Sequence, residues 1–356
     1  MTQQIYKLDT KGKTRVWSQE LDGSRFRTIA GILGGNLVES DWTICVGKQG
    51  RNDEEQAAFE VAANYKNKLT REYHATLEAI SGGAHFFKPM LAQTWEATNF
   101  VPGYAQPKSD GMRCIATKAG LFSRQGKPIV SVPHIWQALR AEFEAYPDII
   151  FDGEIYATSL SDDFGQIMSL ARQSKPTVED LQKSAAVLDY HIYDLPVASG
   201  GFGDRSETLR QILKRVNNPS IIFVRTEYVT DSEEYDEFHA ECLEAGYEGS
   251  MFRLNLPYEQ KRSKSLLKRK TFLTEEFSIL SIDEGLGNWS GVAKSVTCQL
   301  SDGRTFGAGI KGTKERAAEL LGETHKIATI RFFEFTPDGI PRFPVAIDFH
   351  GEARVD

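Results

Sequence analysis

Apolar residues recur at helical spacing after Asn52, where Ala58, Val61, Ala62, Tyr65 and Leu69 fall on one face. Asn52 with Glu55 three residues later has the form of a capping box, so a helix is expected to start there. Ahead of it, Ile5-Tyr6-Lys7-Leu8 and Thr14-Arg15-Val16-Trp17 read as short strands, making residues 1–80 a small α+β module. Ser81-Gly82-Gly83-Ala84 suits a hinge. Over residues 86–274, strand-like runs (Ile149-Ile150-Phe151, Ala186-Val187-Leu188, Ile221-Ile222-Phe223-Val224 and Ser250-Met251-Phe252) alternate with amphipathic helices. Two such helices are predicted, from Ile135 to Phe143 and from Ser206 to Val216, the second stopped by Asn217-Asn218-Pro219. Residues 275–356 change texture to short strands and Gly-containing turns: Phe277 to Ile282, Val292 to Leu300, Arg304-Thr305-Phe306 and Ile327 to Phe335. That spacing predicts a small β-barrel. The fold class is therefore α+β, multidomain.

Composition narrows the function. A chain of 356 residues with 40% apolar content can bury several cores. No long apolar run or signal-like amino terminus is seen, so an intracellular protein that does not enter membranes is expected. Cys45, Cys114, Cys242 and Cys298 lie far apart, which argues against both a zinc ribbon and a disulfide framework. The net charge of -7 gives no general basic footprint for nucleic acid, so local charge has to carry any such binding.

Local charge is informative around Gln106-Pro107-Lys108-Ser109-Asp110-Gly111-Met112-Arg113. A lysine amine becomes a nucleophile when burial or nearby cations favour its neutral form, and Arg113 is one such cation. The Asp-Gly pair also suits an ordinary charged hairpin. Further candidates follow in order: Ser123-Arg124, Phe151-Asp152-Gly153-Glu154, Ile192-Tyr193-Asp194, Tyr247 to Arg253 and Leu266-Leu267-Lys268-Arg269-Lys270. Glu154 and Glu248, beside glycine turns, could hold Mg²⁺ or a ribose, and Lys268 and Lys270 alternate along a strand and so share a face. Taken singly, each reads as well as a surface carboxylate, a core tyrosine or a solvated basic face.

Their joint order resembles the motif set of the covalent nucleotidyltransferases, and within them the small ATP-dependent DNA ligases of viral and bacteriophage type, over about residues 88–350. The resemblance implies a nucleotidyltransferase domain with ATP-grasp-like antiparallel sheets and helices, followed by an OB domain. It implies ATP as nucleotide donor, Mg²⁺, and nicked duplex DNA as partner of a monomeric enzyme of DNA repair, replication or recombination. By the same resemblance Lys108 becomes adenylylated, Arg113 contacts the ribose or nick phosphate, and Arg124 receives the 5′-phosphate. Glu154 binds ribose and assists the metal, Tyr193 stacks on adenine, Glu248 orients the metal, and Lys268 and Lys270 grip the α-phosphate. Gln106 sits where the adenine edge is read. Basic patches at Lys261 to Lys270 and at Lys311, Lys314 and Arg316 would hold the duplex, and the OB domain would close and reopen between steps.

The last motif departs from the pattern. Pro341-Arg342-Phe343-Pro344-Val345 looks like its start, but Ile347-Asp348-Phe349-His350 stands where many relatives carry a further arginine, which leaves Arg342 as the candidate for pyrophosphate. Residues 1–80, with Trp17 and a closing basic helix, resemble the WGR module of some nucleic-acid enzymes, which implies a DNA clamp or a stabilising appendage. The rival readings are an RNA ligase, an mRNA-capping guanylyltransferase and a non-catalytic OB-containing DNA-binding protein. An NAD-dependent ligase is disfavoured for want of a four-cysteine zinc finger.

Overall fold

The structure, a computed structural model, describes residues 1–351 except 10, 83–85, 97–99, 161–162 and 337, and of 81, 82 and 288 the backbone alone. The expected hinge at residues 81–84 thus falls partly outside the described residues. Two compact units are distinguished: Phe86–Thr271, and Met1–His85 together with Phe272–Asp356.

Phe86–Thr271 is built on two five-stranded sheets, as expected of a nucleotidyltransferase domain. One runs in the order Ile221–Phe223, Asp189–Asp194, Phe151–Tyr156, Met112–Thr117, Gly120–Ser123. The other runs Glu227–Val229, Gly103–Lys108, Gly249–Arg253, Arg262–Lys270, Leu91–Thr94. Both are antiparallel except for one parallel edge strand each, Ile221–Phe223 and Leu91–Thr94. The first packs on helix Pro133–Ala145, whose Ile135, Leu139 and Phe143 meet Phe151, Ile155, Tyr190 and Ile192 in a core without exposed surface. Truncating such a side chain costs about 2–5 kcal/mol.

The helix from Ser206 starts earlier, at Phe202, and ends at Asn217, whose left-handed φ of 42° closes it. Ala186-Val187-Leu188, expected as a strand, instead forms the end of helix Val178–Val187, with Leu188 as its cap. A capping box of Thr177 and Asp180 commits that segment to helix, and the strand begins only at Asp189.

In the other unit, five strands close a barrel in the order Leu273–Glu284, Ala293–Gln299, Thr305–Ile310, Val345–His350, Ile327–Phe332. Thr305–Ile310 and Val345–His350 pair in parallel, and helix Lys314–Leu320 lies in the chain between Thr305–Ile310 and Ile327–Phe332. This is the OB fold. The amino-terminal residues form a five-stranded sheet with helix Asp53–Leu69, which begins at the capping box expected of Asn52 and Glu55. Its buried stripe is rotated from the expected one: Gln56, Ala57 and Val61 are buried, while Ala58 and Ala62 face solvent. Alanine is small enough to sit on either face, so its spacing alone misplaced the phase.

Candidate active site

Two strands of the second sheet carry the amines, and Gly249–Arg253 runs between them. Register pairs Lys108 with Gly249 and Gly249 with Lys270, and pairs Gln106 with Met251 and Met251 with Lys268. Cross-strand partners share a face and alternate residues return to it, so Gln106, Lys108, Met251, Lys268 and Lys270 line one side. Glu248, at the mouth of its strand, bridges the Lys108 and Lys270 ammonium groups through its two oxygens and is itself buried. Its backbone N–H donates to the Lys108 carbonyl at 3.0 Å. Gly249 makes this possible: its φ is +144°, and a Cβ there would lie 2.2 Å from the Arg269 carbonyl oxygen.

The first sheet supplies the other half. Arg113 and Glu154 are cross-strand partners, and Arg113 forms a two-pronged pair with buried Asp152 at 2.9 and 2.5 Å. Tyr258 donates to the same Asp152 at 2.7 Å, and its oxygen accepts the Met90 N–H. Gly111 turns the chain between Lys108 and Arg113 so close to the next strand that a Cβ would lie 2.3 Å from the Ile155 carbonyl oxygen. Burial pushes the Glu154 carboxyl up to about 7, against the opposing pull of Lys108 and Arg113.

Tyr193 owes its position to an irregularity. Asp152 pairs with Asp194 and Gly153 with Ile192, which leaves Tyr193 as the extra residue of a β-bulge. A bulge re-aims the side chain that it carries. The Arg113 and Arg253 guanidiniums lie 5.7 and 5.4 Å from its ring centre.

Cations without a matching carboxylate gather here too. Arg124, Arg262 and Lys268 have no ion-pair partner among the described residues. Burial first, then Lys108, Arg262 and Arg124, pull Lys268 below the usual lysine range. Burial first, then Arg113 and Arg262, lower Arg124 as well. Like charges held together out of water are stabilised by an anion, and a polyphosphate is one that fits.

The sequence reading did not find several positioning residues. Arg253 donates to Gln106 at 2.7 Å and to Asp194 at 2.8 Å, and Asp194 also accepts from Arg205 at 2.8 and 3.2 Å, all buried. The Gln106 amide in turn donates to Thr226 at 2.8 Å and to the Tyr193 carbonyl at 3.2 Å. Its side chain is therefore fully engaged within the protein. Asp152, Asp194 and Arg253 stand inside the quoted motifs, so their presence beside Glu154, Tyr193 and Glu248 was a usable signal, and Arg262 stands in the basic run Lys261 to Lys270, read there as a DNA patch; Arg205 and Tyr258 gave none. Arg342 belongs to the other unit, where it pairs with Glu334 at 2.5 Å, and Arg316 is engaged by Glu319 and Glu323.

Comparison with known proteins identifies both domains. Residues 89–270 match the ATP dependent DNA ligase domain, and residues 284–349 match a DNA ligase OB-like domain. A DNA ligase of Haemophilus influenzae is 26% identical over 256 residues, spanning 71% of this chain and 89% of that protein. A DNA ligase of Nanoarchaeum equitans is 27% identical over 269 residues, 67% of this chain and 47% of that one. Among solved structures, a Lig E DNA ligase superposes with a TM-score of 0.64 at 22% identity, covering 74% of this chain and 99% of its own. Another, Pmar-Lig_Pre, gives 0.64 at 21% identity over 85% of this chain and 72% of its own. The catalytic match alone takes in more than half of the sequence and ends on the lysine pair of the last strand, so the chain belongs to the ATP-dependent DNA ligases.

Proposed function

We propose that this enzyme seals 3′-hydroxyl/5′-phosphate nicks in duplex DNA with Lys108 as the temporary carrier of AMP. The observation that carries the reading is Glu248 held between the amines of Lys108 and Lys270 on three adjacent strands. Without nucleotide the ammonium of Lys108 is ion-paired, so arrival of ATP must exchange this carboxylate contact for phosphate and remove a proton before attack. The free amine then bonds to the α-phosphorus as the bond to pyrophosphate breaks. The AMP passes to the 5′-phosphate of the nick, and attack by the 3′-hydroxyl releases it. Each transfer is in-line and depends mainly on positioning and charge neutralisation.

Lys268 and Lys270 share the Lys108 face and suit the α-phosphate, whereas Arg124 and Arg262 extend the cationic group toward a second phosphate. Tyr193, aimed by its bulge, suits stacking on adenine, and Arg113 held by Asp152 suits the ribose or nick phosphate. Since the Gln106 side chain is engaged internally, its part in reading adenine is to position Arg253 and the Tyr193 backbone. Arg342 is assigned to pyrophosphate in the OB domain.

Glu154 and Glu248 offer hard oxygen donors beside Lys108, which fits Mg²⁺ held jointly with substrate phosphates and water. Among the described residues no three His, Cys, Asp or Glu side chains gather as a metal cage, consistent with a metal that arrives with its nucleotide. When bound, that ion would supply charge neutralisation at the phosphoryl oxygens. No helix among the described residues is long and apolar enough to cross a membrane.

The test is incubation with α-labelled ATP or GTP, followed by a nicked fluorescent duplex, using the wild type and Lys108→Ala. The expected result is a stable adduct from ATP alone and joined product, both abolished in the variant. An adduct from GTP alone would overturn the reading in favour of a capping enzyme.

A further inference from the structure

The family match begins at residue 89, so nothing in it accounts for the amino-terminal sheet and helix. Residues 1–80 carry as many acidic as basic side chains, 11 of each, but they are not evenly spread. Asp53, Glu54 and Glu55 open the helix, and Lys66 and Lys68 close it. On the sheet, Arg25 pairs with Asp22 and Arg27 with Glu20 and Glu39, so those arginines are matched.

The helix carboxyl end is different. Lys7 and Arg15 are cross-strand partners on the first hairpin. The Lys68 Nζ lies 5.3 Å from the Trp17 ring centre and 5.1 Å from that of Tyr73, over which the Lys7 Nζ also sits at 5.0 Å. Arg71 follows at once, its Nε buried without a hydrogen-bond partner among the described residues. Against these four cations stands Glu72, which pairs with Lys7 at 2.5 Å; farther along, Asp9 accepts from the Lys11 and Lys13 N–H groups and faces Arg15 and Lys13. The helix dipole explains basic residues in its own last turn, but not Lys7 and Arg15, which two strands bring to the same place. Burial first, then Lys7 and, against the opposing pull of Glu72, Arg71 lower the Lys68 ammonium, the cost of holding like charges together with one carboxylate among them.

We propose that this patch of Lys7, Arg15, Lys68 and Arg71, seated on Tyr73 and Trp17, is a second DNA contact that grips the phosphate backbone of the duplex. The inference rests on the DNA-joining reading of the catalytic unit, which supplies the polyanion. Contacts of this kind set affinity and salt dependence without reading sequence.

The test measures binding of a fluorescein-labelled nicked duplex by anisotropy over a series of KCl concentrations, with wild type, Arg15→Gln/Arg71→Gln and Glu72→Gln, each as the full chain. Each lost phosphate contact lowers the slope of log K against log salt by about 0.9, so the double variant is expected to bind more weakly with a slope shallower by about 1.8. Glu72→Gln, which frees Lys7, is expected to bind more tightly. Lys108–AMP formation from ATP is read in parallel and is expected to be unchanged in both variants. Slopes and affinities equal to wild type in both variants overturn the proposal. Absence of the AMP adduct in the wild type would instead overturn the ligase reading.

Discussion

Glu154→Gln separates stability from function in a way that depends on pH. A glutamate that titrates at 4.5 in the unfolded chain is held to about 7 in the folded one. Between those values the folded protein keeps a proton that the unfolded chain has released, so stability falls as pH rises through that window. The interval from 4.5 to about 7, at about 1.4 kcal/mol per pH unit, gives a full penalty of about 3 kcal/mol, reached above pH 7. Because the side chain is half-buried, solvent screening reduces this to about 2 kcal/mol. Glutamine keeps the shape and carries no charge, so the variant should exceed the wild type by only about 0.5 kcal/mol at pH 5, where the unfolded carboxyl has released most of its proton, and by about 2 kcal/mol at pH 8. Urea unfolding of both proteins at pH 5, 6, 7 and 8, without nucleotide and with chelator, measures the difference. The same variant should lose nick sealing at every pH. Two curves that stay parallel from pH 5 to 8 would refute the claim that Glu154 is a desolvated carboxyl beside Lys108.

Two further substitutions test the frame around the lysine. Asp152→Asn leaves the Arg113 guanidinium without its counter-charge and should cost about 3 kcal/mol or more in thermal unfolding while slowing sealing. Gly111→Ala puts a methyl 2.3 Å from the Ile155 carbonyl oxygen, forcing the turn between Lys108 and Arg113 to shift, and should cut the rate of Lys108–AMP formation at least about tenfold. Gly307→Ala, at a barrel position with open space around it, should leave that rate unchanged.

Much of this was written in local sequence. The Asn52 and Glu55 cap, the arrest at Asn217, the change to closely spaced strands after residue 274 and the alternation of Lys268 with Lys270 are short-range facts, because periodicity and capping depend on neighbours within one or two turns. The order of the motifs then pointed to the chemistry before any distance was known. Ala186-Val187-Leu188 misled because three apolar residues fit either element, and a capping box ten residues upstream decided between them.

What tertiary structure alone decided is who meets whom. Glu248 lies 140 residues from Lys108, and only pairing of three strands makes it the bridge between two amines. Tyr193 reaches its place through a bulge that no local pattern announces, and Gln106 turned inward because Arg253, 147 residues away, needed its oxygen. Side-chain partners across such separations are fixed by sheet register and burial, which are collective properties of the fold, whereas the elements that carry them are fixed by the residues next door.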